Sequence, residues 1–243
     1  MNEDFNFKKI FAPTGELRAV INLGNALLAK AGAVNEEPTG VSVDLARKFA
    51  FQLGVPLKLI TVKKAADAVH FVATARADIG FFAVDPERAA LISFTQPYAV
   101  IEGVYMVHGN SPLKTNNEVD RDNVRVVVGH GSAYDLYLSR HIKQAEIIRA
   151  PTSQEVVDHF LAHRFEVAAG VRQQLEMDAQ RVGGDLRILP GHFMEILQAM
   201  GVSKERGDLA GEYLNQFVRL IKESGEVQQI FDANKVTGAA VAK

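Results

Sequence analysis

The sequence predicts an α/β fold in two lobes. Strand and helix signals alternate over residues 17–84. The same alternation restarts over 124–189 after a polar break. A clearly amphipathic helix at 207–224 then closes the chain. Alternation of this kind argues for parallel sheets covered by helices.

In the first lobe, Leu17–Leu23 reads as a strand that ends in Gly24-Asn25, a loop placed to meet a ligand. A polar loop at 30–40 leads to a helix capped by Ser42 and running to Leu53, with Ala46, Phe49, Ala50 and Leu53 on one stripe. Gly54 and Pro56 stop it. Leu57–Val62 is a strand, Ala65–Ala75 a helix, and Asp78–Val84 a short buried strand that carries Phe81 and Phe82. Asp85-Pro86-Glu87 then has the form of a helix start, with an N-cap acid, Pro at the first position and an acid in the first turn. Ile92–Thr95 and a long apolar run, Tyr98–Val107, follow.

In the second lobe, Val124–Val128 is a strand, and Gly129-His130-Gly131-Ser132 a tight turn that opens a helix over 132–141. Glu146–Arg149 is the next strand. Thr152-Ser-Gln-Glu155 has the spacing of a capping box before another helix. Strands at Glu166–Val171 and Leu186–Leu189 flank a helix over 173–181. Beyond an apolar run at Phe193–Met200, the helix over 207–224 sets Ala210, Tyr213, Leu214, Phe217, Val218 and Ile221 on one face. A shorter helix, Val227–Asn234, follows Gly225, and the final GAAVAK reads as loose.

Bulk properties remove several function classes. A chain of 243 residues with 47% hydrophobic and 23% charged residues can bury a sizeable core as one large domain or two small ones. A net charge of −2 invites neither nucleic acid nor an anionic membrane. No run of about 18 apolar residues is present, so no membrane span is expected. Cysteine is absent, which excludes disulfides and cysteine metal or redox sites. The first eleven residues lack the basic start and apolar stretch of a secretory leader. That leaves two readings: a cytoplasmic protein if the chain is complete, or a periplasmic one if a leader has been removed.

Two features carry chemistry. Arg88 puts a cation in the first turn of the expected helix, the unfavourable end of its dipole; a guanidinium fork there can grip a ligand carboxylate, or it can be a solvated helix arginine. The Gly131-Ser132 turn sits between a strand and a helix N-terminus. Free N–H groups and the dipole make that place suitable for an anion, whereas the plain alternative is an N-cap serine after turning glycines. Together they suggest a grip on one small carboxylate, with one side in each lobe. His159 and His163 have metal-ligand spacing but no HExxH context and no third ligand, so they read as a polar helix face. No GxSxG elbow is present. Asp85, Glu102 and Glu195 are acids that read as caps or ordinary polar residues. No metal or other cofactor is expected.

The stretches GELRAVIN, TGVSVDLARKFAFQLGV, ADIGFFAVDPERAALISFTQPY, VVVGHGSAYDLYL and KESGEVQQIF resemble the type II solute-binding proteins of ABC transporters, family 3, the polar-amino-acid group. The resemblance covers about residues 15–235. It implies a two-lobe, periplasmic-binding-protein-like type II fold with a hinge and an interlobe cleft. Lobe 1 would be 1–103 plus 193–243, and lobe 2 would be 104–192. It also implies a monomer that closes on one ligand, with an ABC transporter permease as partner. Arg88 matches the arginine that holds the ligand α-carboxylate, and Gly131 and Ser132 match the turn that meets the same group. Asn22, Gly24, Phe81, Phe82 and Tyr134 are expected to shape the pocket. Three departures stand out. Ala83 replaces a Ser or Thr five residues before the arginine, and residues 22–28 contain no aromatic. Val171, followed by Arg172, replaces the acid that pairs the ligand ammonium. Arg172 is therefore read as a selectivity residue that favours a di-acid or another anion. The expected function is binding of an amino acid or other small carboxylate without catalysis. The alternatives are a cyclohexadienyl-dehydratase-like enzyme using Glu102 or Glu195 as general acid, and a sensor module without a transporter.

Overall fold

The strand–helix alternation is present in both halves of the computed structural model, which describes residues 6–34 and 36–243. The chain divides into two compact units. Unit 1 runs through Ala99, resumes at Gln198–Val236 and closes with Val241–Lys243; unit 2 is Val100–Leu197 with Thr237–Ala240.

Unit 1 contains α1 (Phe7–Phe11), β1 (Leu17–Asn22), α2 (Val41–Leu53), β2 (Leu57–Val62), α3 (Ala65–Ala73), β3 (Ile79–Ala83) and β4 (Ile92–Phe94). β1 pairs in parallel with β2 (Leu17 opposite Leu57) and with β3 (Ala19 opposite Ile79). Val20, Phe82 and Ile92 pack with Ala68 and Val72 of α3 to form one core cluster. α1 was not expected from the sequence. Phe11 is fully buried edge-on to Phe49, and Phe7 stacks on Tyr213 at 3.9 Å, so two aromatics fix a helix too short to stand alone.

Two expected helix starts in unit 1 are corrected. Ser42 lies inside α2; the N-cap is Gly40, at φ +124°, and a Cβ there would come within 2.5 Å of the Leu28 carbonyl. Asp85-Pro86-Glu87 opens only a single 3₁₀ turn, Arg88–Ala90, because β4 begins at Ile92. The N-cap of that turn is Glu87, with no side-chain cap; Asp85 instead closes a local turn before it, accepting from Glu87 N at 2.9 Å. One turn has little macrodipole, so the expected penalty on Arg88 largely disappears.

Unit 2 contains most of β5 (Ala99–His108), then β6 (Arg125–Gly129), α4 (Ala133–His141), β7 (Glu146–Ala150), α5 (Val156–Ala162), β8 (Val167–Val171), α6 (Arg172–Val182) and β9 (Leu186–Ile188). β6 lies parallel to β7 and β8, while β5 runs antiparallel to β8 and β9. β9, expected to extend the parallel alternation, is therefore an antiparallel strand on β5. Val127, Phe160, Ala168 and Leu175 are at the centre of this unit's core. The expected capping box at Thr152 does not form: its hydroxyl donates to the Glu155 carboxylate at 3.0 Å instead of accepting a backbone N–H. A complete box forms at Thr115 and Glu118, inside the stretch read as a polar break.

β10 (Met194–Ser203) returns the chain to unit 1, where Ala199 lies opposite Phe82 of β3. α7 (Asp208–Glu223) and α8 (Glu226–Ala233) follow, and the buried face of α7 carries five of the six residues expected on it; Tyr213 stays partly exposed, where it stacks on Phe7. The tail is not loose, because Ala239–Val241 forms β11 on β5.

One device occurs in both units. The Arg18 main-chain N–H and guanidinium donate to Asp78 at 2.8–2.9 Å, and its Nη2 donates to the carbonyl of Ala75, a left-handed residue at φ +56°. Arg125 repeats the pattern with Glu166 at 2.6–2.9 Å and with the carbonyl of Arg164, at φ +52°. Each clasp ties the start of the central strand to the turn before its parallel neighbour.

Candidate functional site

The residues singled out from the sequence lie at the carboxyl ends of parallel strands, each in its own unit. In open α/β sheets that is where ligands bind. In unit 1, Asn22 ends β1, and its Oδ1 accepts from Gly24 N at 2.9 Å. A Cβ on Gly24 would lie 2.5 Å from the Lys63 carbonyl, so the turn admits only glycine without a shift. Phe81 and Phe82 end β3 on opposite faces. Phe82 belongs to the core cluster beside α3 and so does not line a pocket; Phe81 lies edge-on to the buried Tyr98.

Arg88 stands in the turn after β3. It is 5% exposed, and Nη1 donates to the Ala83 carbonyl at 3.1 Å. Burial pushes the guanidinium below its ordinary pKa, and the nearby Asp85 and Glu87 carboxylates partly offset that. A buried arginine is a costly group to hold, and its fork suits a planar carboxylate.

In unit 2, Gly131 has φ +69°, a conformation that favours glycine. Ser132 is the N-cap of α4, its hydroxyl accepting from Asp135 N at 3.0 Å. The expected anion site is more occupied than the sequence suggested. Asp135, 3% exposed, accepts from Gly131 N at 2.8 Å and from Ser139 and Arg149. Ser132 N donates to the Gly129 carbonyl and His130 N to Ala150. The Ser132 hydroxyl also faces the Tyr134 hydroxyl, with which it shares a hydrogen bond. Asp135 was not picked out from the sequence, although Ser132-Ala-Tyr-Asp135 has the spacing of a capping box. Tyr134 is buried in the first turn of α4, and burial pushes its hydroxyl pKa upward.

Arg172 opens α6 at the carboxyl end of β8, next to Val171. Its Nε donates to Glu102 at 2.5 Å and its Nη2 to the Gly191 carbonyl at 2.8 Å. Its charge is therefore balanced by a strand acid. In turn Arg172 holds the Glu102 carboxyl below its ordinary value. Glu195 is exposed. His159 and His163 lie with ring centroids 4.6 Å apart, and no cluster of three or more metal-ligating acids or histidines occurs among the described residues. A cavity of about 680 Å³ in unit 2, lined by residues such as His108, Arg121 and Phe165, lies at the opposite edge of the sheet, where β6 begins.

The family model for bacterial extracellular solute-binding proteins, family 3, matches residues 29–234. The chain belongs to that family. No curated protein matches it in sequence. Among solved structures, this solute-binding protein is similar to the solute receptor for L-cysteine of Neisseria gonorrhoeae, with TM-score 0.80 and 19% identity over 96% of this chain and 95% of that one. It is similar to an amino acid ABC transporter substrate-binding protein, AbpA, of Streptococcus pneumoniae bound to L-arginine, with TM-score 0.77 and 18% identity over 94% and 98% of the two chains. It also resembles an ancestral amino acid-binding protein, a precursor of cyclohexadienyl dehydratase, with TM-score 0.75 and 18% identity over 94% and 98%. At these identities the likenesses establish the fold. No helix among the described residues is long and apolar enough to cross a membrane.

Proposed function

We propose that this solute-binding protein binds a small carboxylate-bearing solute of the amino-acid class, with Arg88 as the carboxylate clamp. The observation that carries the reading is Arg88 itself: a buried guanidinium in the turn after β3, at the carboxyl edge of the unit 1 sheet. One similar structure is a solute receptor for L-cysteine and another is bound to L-arginine; the two amino acids differ in side chain but share an α-carboxylate. On this reading the Ser132 hydroxyl and the Gly131 turn supply the unit 2 side of the grip, with Tyr134 behind them. Asn22, Gly24 and Phe81 shape the unit 1 side. Arg172 influences selectivity only together with Glu102, because the two are paired. The units close on the ligand by a hinge motion, and a transporter permease is the partner that reads the closed form.

The dehydratase reading gains nothing at Glu102, and the other candidate acid, Glu195, is exposed. A general acid must carry a proton at working pH, and Arg172 keeps Glu102 ionised.

A thermal-shift screen against amino acids, 2-oxo acids and dicarboxylates tests the proposal. A ligand at 100 times its dissociation constant adds about 2.7 kcal/mol. A stabilising hit that disappears in Arg88→Ala supports the clamp. A hit that persists undiminished in that variant removes Arg88 from the site.

A further inference from the structure

Three segments lead out of unit 2 into unit 1. β5 is shared between them at Ala99/Val100, β10 at Leu197/Gln198, and the tail crosses twice, at Val236/Thr237 and at Ala240/Val241. On its unit 2 side, each is held by one of the first two residues of α6. Arg172 Nε donates to Glu102 of β5 at 2.5 Å. Arg172 Nη2 donates to the carbonyl of Gly191, three residues before β10, at 2.8 Å. Gln173 Nε2 donates to the carbonyl of Gly238, immediately before β11, at 2.9 Å.

Further contacts reinforce the arrangement. His192 Nδ1 lies 3.5 Å from the second Glu102 oxygen. Gly238 has φ +78°, a conformation that favours glycine, and a Cβ on it would fall 1.4 Å from Gln173 Nε2, so a side chain there would push the Gln173 amide off the tail. Phe193 N donates to the Gly103 carbonyl at 2.9 Å, joining the first two segments to each other. A cation at the start of an eleven-residue helix opposes the dipole, so Arg172 is held there by its partners rather than by α6.

We infer that Arg172, with Gln173 beside it, is a positioning residue that fastens the three connecting segments to the start of α6, so that they loosen together. The inference does not depend on which ligand is bound or on Arg88 being the clamp. It assigns to α6 the task of setting where unit 2 ends and the connecting strands become free to bend.

Amide hydrogen exchange on the intact, ligand-free chain tests this segment by segment. In Arg172→Ala, exchange is expected to rise about tenfold or more in 99–104, 189–194 and 237–241 together, the scale of losing a charge-assisted hydrogen bond. β6 and β7 should stay at the wild-type rate. Glu102→Gln removes the charge with little change of shape and carries the same expectation if Arg172→Ala does not fold. Arg172→Lys keeps the charge without the fork and should fall between. Arg181→Ala, farther along α6, should leave all three segments unchanged. Acceleration confined to 189–194, or spread equally over β6 and β7, overturns the proposal; the first would make Arg172 a local tie and the second a general stabiliser.

Discussion

At Gly131 two requirements meet in one residue. Its φ of +69° is open to glycine, and its N–H is committed to the buried carboxylate of Asp135. Gly131→Ala should therefore lower unfolding stability by about 1 kcal/mol from backbone strain, read as a shift of the denaturant midpoint at unchanged slope. Asp135→Ala should cost more. It leaves Arg149 without its carboxylate and the Gly131 N–H without its acceptor, so about 2–3 kcal/mol is expected. If Asp135→Ala proves neutral, the Asp135 network is not what fixes the turn. The Ser132 hydroxyl accepts from Asp135 N and shares a hydrogen bond with the Tyr134 hydroxyl, so a ligand carboxylate has to draw its proton away from Tyr134. Ser132→Ala should thus weaken carboxylate binding and remove the helix cap, whereas Ser132→Thr should restore both.

Among the elements, the paired clasps have the same form but differ in burial. Asp78 is fully buried between Arg18 and Arg206, whereas Glu166 keeps about a third of its side chain exposed. Asp78→Asn should cost about 3–5 kcal/mol, the effect of breaking a buried charge cluster by removing one partner. Glu166→Gln should cost about 1 kcal/mol or less, because solvent screens an exposed pair. Arg125 holds the Glu166 carboxyl below its ordinary value. In acid, the unfolded chain therefore takes up that proton at a higher pH than the native one. The pair's stabilisation is present above the ordinary glutamate value and is lost as pH falls through the depressed native value. Melting temperatures of wild type and Glu166→Gln should differ at neutral pH and converge as acid is added; a constant gap would show that the pair does not titrate in this way.

The clasps also show what the sequence made legible. β2 and the buried face of α7 were readable because period-2 and period-3.6 patterns are local. Arg18 and Asp78 are 60 residues apart, so no window shows their pairing. The tail escaped for a related reason: three small residues carry no strand signal of their own, and β5 supplies the partner that makes them one. Deleting 237–243 should leave the core folded but expose the edge of β5, with a lower melting temperature as the readout. The candidate site was legible at Arg88 and Gly131-Ser132 as turns at strand ends, where Pro and Gly mark the chain. It was not legible at Glu102, whose partner Arg172 lies across an antiparallel pairing that the α/β reading did not contain.

In the molecule as a whole, the proposed grip places Arg88 in unit 1 and Ser132 in unit 2. If both hold one carboxylate, neither contact reaches full strength unless the other is made. A double-mutant cycle measures this directly. Arg88→Lys and Ser132→Ala, alone and together, are titrated by calorimetry with the solute found by thermal shift. Independent sites add within about 0.3–0.5 kcal/mol, whereas groups sharing a partner couple by about 0.5–3 kcal/mol. Coupling in the upper range is expected, because losing either contact removes the reason for the other unit to close. The lysine keeps the cation but not the two-pronged geometry, so the coupling reports a shared carboxylate rather than a general field. Additive losses would mean that two separate groups of the solute are held. They would then assign the carboxylate to Arg88 alone, since the Ser132 hydroxyl can donate equally to a neutral oxygen of the solute.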